Sequence, residues 1–265
     1  MSTSAFGARC WRGLEADVLF ALITETPLVH AGALAKMAPA LEQNALHCAR
    51  AWGLEQPAVS PCSTVDNLPH WAHPIVFVAG GGDAGVLAEH YYDPVRSGPA
   101  CRVYVDQASG LEGGDYSVSE AASHEIVEAL VNPRINLWSP HPLRPALQLP
   151  REVADPVQSA YRITAHGTAW QVSNFVTPYW FDSAFVDPEQ RRRLRAAGER
   201  FDHLGELTEP GQIGREGYVV LLDPATGRTW LEFGPDGDLA ARKRAAIRHP
   251  WSRTRRLGIQ LTEAA

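Results

Sequence analysis

Residues 117–131, SVSEAASHEIVEALV, are the clearest helix in this sequence, and the fold reads outward from them. Ser117 and Glu120 stand at the S-x-x-E spacing of a capping box, in which a serine oxygen accepts an otherwise unpaired helical N–H. Asn132-Pro133 ends the helix, because the residue before a proline avoids helical geometry. Apolar residues such as Val118, Ala122, Ile126, Val127 and Leu130 run nearly all the way round it. That pattern belongs to a buried helix. Yet the same element carries His124, Glu125 and Glu128, which are costly to bury without partners.

Upstream, VLFALIT at 18–24 has strand character, and AGALAKMAPALEQNALHCARAW at 31–52 reads as a helix, kinked at Pro39 and stopped by Gly53. IVFVA at 75–79 reads as a buried strand ended by the glycines at 80–82, with further strands at 86–92 and 101–105. Downstream, the proline-rich residues 134–156 read as a long ordered loop. Residues 161–176 read as a hairpin turning at His166-Gly167, residues 187–200 as a polar surface helix, and residues 217–233 as a second hairpin. The basic stretch from Arg242 to Arg256 reads as solvated surface. This order implies an α+β fold. It implies a single domain over 1–265, with a core subdomain at 1–133 and a loop- and hairpin-rich subdomain at 134–265 that completes the site.

The 265 residues are 45% hydrophobic, enough for a sizeable core, which excludes general disorder. A formal net charge of −6 leaves no electrostatic footprint for nucleic acid as the partner. No stretch reaches the roughly eighteen apolar residues of a membrane span, so no membrane partner is expected. Glu15 and Asp17 interrupt the only apolar stretch near the start, so no secretory signal is read. The cysteines at 10, 48, 62 and 101 are scattered without a CxxC pair. Reduced thiols and a cytoplasmic location follow as expectations. Oligomeric state is not legible.

The chemistry concentrates in His124-Glu125-Ile126-Val127-Glu128, an H-E-x-x-E motif. Residues i and i+4 share a helix face, so His124 and Glu128 can clasp one metal ion, as the two histidines of H-E-x-x-H do. Glu125 is then placed to take a proton from water as general base. Catalytic zinc sites usually have three protein ligands and one open position. The third ligand is sought in Glu152-Val153-Ala154-Asp155, where Glu152 lies 24 residues past Glu128. Either Glu152 binds metal and Asp155 orients His124, or the roles are reversed. Zinc is the expected ion, with iron or manganese as alternatives for an oxygen-rich donor set. Glu120 shares the face of His124, but the capping box accounts for it.

With these residues in place, the sequence resembles a bacterial and phage-associated zincin-like family with an S-H-E-x-x-E-x-x-x-D-P core. Here that core runs from Ser123 to Pro133, with Asn132 in place of the usual Asp. The resemblance continues through Glu152–Val157, Val172–Phe181 and Gly217-Tyr218, within roughly residues 85–220. It implies a mixed sheet backed by the 31–52 helix, with the 117–131 helix as active-site helix beneath an edge strand. It implies a metal site more than a particular substrate. The only methionines are Met1 and Met37, so the methionine turn of the metzincin branch is missing. Glu128 also stands where zincins usually have histidine. One imidazole and two carboxylates would neutralise a divalent ion and acidify its water less than a two-histidine set does.

Four further residues are candidates for the substrate side: His90 from Glu89-His90-Tyr91-Tyr92, Tyr161, and Asn174 and Trp180 in the aromatic 173–181 segment. His141 and His166 are candidates for oxyanion contacts. His70-Trp71-Ala72-His73 has metal-like spacing but reads as a loop between Pro69 and Pro74. The expected function is a metal-dependent hydrolase of a peptide or small amide. The alternatives are a non-hydrolytic iron or manganese enzyme and a metal-braced binding protein.

Overall fold

The computed structural model describes residues 17–66, 68–69, 71–80, 86–114 and 116–235. The fold is α+β. The chain divides into two compact units. The first holds the described residues before 81, Leu87–Arg134 and Tyr161–Val172. The second holds Val86, Ile135–Ala160 and the described residues from Ser173 onward.

In the first unit a five-stranded sheet has the order β2-β1-β3-β5-β4. Its strands are β1 (Val18–Thr24), β2 (Pro57–Pro61), β3 (Ala72–Val78), β4 (Ala88–Asp93) and β5 (Gly98–Tyr104). β1 pairs in parallel with β2 and β3, and β3 with β5. Only β4, at the edge, is antiparallel. Leu19 to Ile23 are almost fully buried on both sides of β1, as expected of a strand inside a parallel sheet covered on both faces. Leu19, Ala21 and Ile23 share one core cluster with Ala58, Leu68 and Ala72.

Helix α1 (Ala31–Trp52) packs on β1, β2 and helix α2 (Val118–Val131), and α2 packs on β4 and β5. The expected ends hold. Gly53 caps α1 with φ of 63°, a left-handed conformation that glycine adopts without steric cost. The Ser117 hydroxyl accepts the Glu120 N–H at 3.2 Å. The Glu120 carboxylate accepts a hydrogen bond from Gln171 Nε2 at 3.0 Å. That bond, with Ser119 Oγ donating to the Gln171 carbonyl at 2.7 Å, ties α2 to the hairpin of β8 (Ala160–Ala165) and β9 (Thr168–Ser173). The hairpin turns where expected, at His166 and Gly167, both with positive φ.

The second unit contains an antiparallel sheet of order β11-β10-β7-β6, built from β6 (Trp138–His141), β7 (Arg144–Pro150), β10 (Tyr218–Asp223) and β11 (Arg228–Phe233). The β10–β11 hairpin is the one expected at 217–233. A short polar helix, α3 (Pro188–Ala196), is N-capped by the Asp187 carboxylate.

Three local expectations are corrected. Residues 134–156 are not one irregular loop, because 138–150 form the β6–β7 hairpin. The prolines sit where the ladder tolerates them: Pro150 closes a strand, and Pro140 adjoins a break in register with His141. Residues 57–61, unassigned in the sequence, form edge strand β2, with prolines at its two ends. The segment at 70–73 is not all loop, because Ala72 and His73 open β3. Pro74 is accepted there because pairing with β5 begins only at Ile75. His70 and the basic stretch at 242–256 lie outside the described residues.

Candidate metal centre

Helix α2 carries its three chemical side chains into buried surroundings. The side chains of Glu125 and Glu128 are 6% and 2% exposed, and that of His124 is 15% exposed. One turn apart, His124 Nε2 and Glu128 Oε1 stand 3.4 Å from each other, the pairing that the i, i+4 spacing requires. His124, Glu125 and Glu128 each present a donor atom within 4.8 Å of the others.

Edge strand β4 delivers a fourth side chain to the same place. His90 is fully buried, with Nδ1 at 3.2 Å from Glu125 Oε2 and 3.4 Å from Glu128 Oε2. Its position follows from the sheet. His90 is the register partner of Cys101 on β5. The Cys101 thiol in turn donates to the Glu125 carbonyl at 3.9 Å. The β4–β5 pairing and the β5–α2 packing therefore align His90 with the turn of α2 that holds both carboxylates.

Two carboxylates this deeply buried need compensating positive charge, from protons on the imidazoles or from a bound cation. Burial pushes the Glu128 carboxyl up, but His124 and then His90 outweigh it and hold the group well below the usual carboxylate range. The donors suit a divalent ion. Bonds of about 2.0–2.1 Å in a tetrahedral site place neighbouring ligand atoms about 3.3–3.4 Å apart. The His124 Nε2–Glu128 Oε1 separation of 3.4 Å matches that spacing, while His90 Nδ1 lies 3.4 Å from the other oxygen, Oε2.

Tyr161, Asn174, Trp180 and His141 stand in different surroundings. The Tyr161 hydroxyl donates to Asn44 Oδ1 at 2.8 Å and bonds His47 Nδ1 at 3.0 Å, which docks the β8–β9 hairpin onto α1. Burial pushes that phenol's pKa up. Asn174, in the second unit, donates to Asp202 Oδ2 at 2.9 Å and to Ser159 Oγ at 3.0 Å. Asp202 also accepts the backbone N–H groups of Leu204, Glu206 and Leu207, so this network braces a loop. The buried Trp180 indole donates to the Gln212 carbonyl at 2.8 Å. His141 lies against the Arg144 guanidinium, its pKa lowered to about 4 by burial and then by that charge.

Glu152 and Asp155 are both buried in the second unit. Their segment is held by backbone bonds, Val176 N–H to the Val153 carbonyl and Tyr218 N–H to the Asp155 carbonyl. Asp155 Oδ1 accepts from Gln158 Nε2 at 3.2 Å. Gly217 permits the close approach, because a Cβ there would collide with the Pro156 carbonyl.

Of the sequence candidates, the first unit thus gathers His124, Glu125, Glu128 and His90. The sequence pointed to His90 as a substrate contact, but it lies against both carboxylates. Cys101, which aligns it, was not singled out for the site, since no spacing rule connects a strand cysteine to a helix carbonyl. Comparison with protein-family models, with curated proteins and with solved structures finds no match for this chain.

Proposed function

We propose that this protein is a metal-dependent hydrolase of peptide or amide bonds, with His124 and Glu128 holding a divalent cation and Glu125 acting as general base. The observation that carries the reading is the buried cluster on α2: an imidazole and a carboxylate 3.4 Å apart, with a second carboxylate beside them. The zincin-like core resemblance supports it. Zinc suits the mixed nitrogen and oxygen donors, and iron or manganese are the alternatives. A cation held there supplies Lewis acidity toward a carbonyl oxygen.

The protein's own groups do the rest. Glu125 takes a proton onto a carboxylate oxygen from attacking water and returns it to the leaving amine. The His90 contact at 3.2 Å restrains the orientation of that carboxylate. The walls of the cluster exclude bulk solvent, which strengthens each charge interaction inside it. Glu152 and Asp155 carry over from the sequence as candidates for a further ligand and its support.

Elemental analysis of protein purified without chelator or His tag, wild type beside His124→Ala, tests this reading. About one zinc per chain, lost in the variant, is expected. No metal in the wild type, even after each ion is added back, would refute it. Bound iron with oxygen-dependent turnover would replace hydrolysis with redox chemistry.

A further inference from the structure

We infer that His90 is a positioning residue whose Nδ1–H is shared by Oε2 of Glu125 and Oε2 of Glu128, so that Glu128 meets the ion through Oε1 alone. This assignment rests on the metal reading above. The two oxygens of Glu128 have different neighbours. Oε1 is buried and no hydrogen bond to it forms among the described residues. It faces His124 Nε2 at 3.4 Å, the spacing of neighbouring ligands on one ion. Oε2 faces His90 Nδ1, also at 3.4 Å. The same nitrogen is hydrogen-bonded to Glu125 Oε2 at 3.2 Å. One ring nitrogen therefore reaches one oxygen of each carboxylate. Ionised carboxylates only accept hydrogen bonds, so the nitrogen between them carries the proton and donates it.

The donor is held by the sheet and not by the helix. His90 is fully buried on β4, its register partner on β5 is Cys101, and the Cys101 thiol contacts the Glu125 carbonyl. A side chain on a paired strand is held more closely than one on a loop. The helix by itself leaves two buried negative charges one turn apart, at a cost in repulsion. A proton placed between them offsets that repulsion and fixes both side chains at once.

Each carboxylate gains a defined role from this contact. For Glu128, engaging Oε2 leaves Oε1 to the ion beside His124 Nε2, and a ligating carboxylate that is itself hydrogen-bonded is the usual support around a metal. One-oxygen coordination also keeps a position on the ion open for water. For Glu125, engaging Oε2 turns Oε1 to the task of taking the proton from that water. His90 thus acts on the ligand as well as on the base, and through hydrogen bonding rather than by touching the ion.

The test uses the full chain loaded with one equivalent of Zn(II). Zinc K-edge X-ray absorption counts imidazoles, and zinc-minus-apo infrared spectra report how the carboxylate binds. One imidazole and a wide splitting of the carboxylate stretches, the mark of one-oxygen coordination, are expected in the wild type. Two imidazoles, or the narrow splitting of a two-oxygen carboxylate, overturn the assignment. These wild-type readings decide the matter even if a variant folds poorly. Zinc affinity, from competition with a chromogenic chelator, is expected to fall about 10–100-fold in His90→Leu, which keeps the bulk but loses the donor. His90→Asn places an amide N–H where Nδ1 stood and is expected to recover most of that loss. Wild-type affinity in His90→Leu, or no recovery in His90→Asn, removes His90 from this role but keeps the metal reading. No zinc in the wild type overturns both.

Discussion

His90 and Glu125 are separated by 35 residues in the chain, yet His90 Nδ1 stands 3.2 Å from Glu125 Oε2 with both groups buried. The contact joins the antiparallel edge strand of the sheet to the helix that carries the H-E-x-x-E motif. It sets the orientation of the carboxylate proposed as general base.

Glu125→Gln should therefore separate binding from catalysis. The amide keeps the shape of the carboxylate but cannot accept the proton. Zinc content is expected to stay at the wild-type level, while hydrolysis of a peptide library falls about 10²–10⁴-fold. Retained turnover would remove Glu125 from the mechanism.

Removing the metal should cost stability as well as activity. A ligand that binds only the folded state stabilises it by about 2.7 kcal/mol when its free concentration is 100 times Kd. Dialysis against chelator is expected to lower the Tm, and added zinc to restore it. A Tm indifferent to chelator would count against a tight site.

Ser117→Ala should weaken the helix that carries the motif. Its hydroxyl accepts the Glu120 N–H at 3.2 Å, and the residue is fully buried. Loss of an N-cap costs about 1 kcal/mol. A urea midpoint lowered without a change in slope is the expected result.

Acid should destabilise the first unit through His73. Burial, and then the Arg96 guanidinium, pull this imidazole down to about 4, while a hydrogen bond with the Pro99 backbone offsets them only in part. The unfolded chain takes up a proton near the usual value of about 6.5. Between those values the unfolded state binds more protons, so stability is full above about 6.5 and falls as pH drops toward 4. At 1.36 kcal/mol per pKa unit the loss is roughly 3 kcal/mol. His141, also lowered to about 4, acts in the same direction. His73→Gln is expected to flatten this acid limb in a plot of urea stability against pH.

Much of the fold was legible because its signals are local. Helix α2 runs from Val118 to Val131, between a serine cap and an Asn-Pro stop. Helix α1 spans 31–52 and ends at Gly53, and both expected hairpins turn where Gly167 and Gly227 adopt positive φ. Periodicity, caps and turn residues act over a few positions, so a linear reading captures them. The β6–β7 hairpin and strand β2 were missed for the converse reason. Their prolines argue against strands locally, and the pairings that stabilise them come from distant residues, such as Leu222 opposite Gln148 and Val18 opposite Pro57. Sheet context overrides propensity there.

The same division runs through the candidate site. His124, Glu125 and Glu128 could be placed together from the sequence, because 3.6 residues per turn bring i and i+4 to one face. The all-round apolar pattern also marked the helix as buried, but which groups face the three side chains could not be read, since that depends on what packs against the helix. His90 belongs with them only because β4 pairs antiparallel with β5 while β5 packs on α2. That register is a property of the folded sheet. It brings an imidazole 35 residues away against the carboxylates of the motif, by side-chain packing that no local spacing encodes.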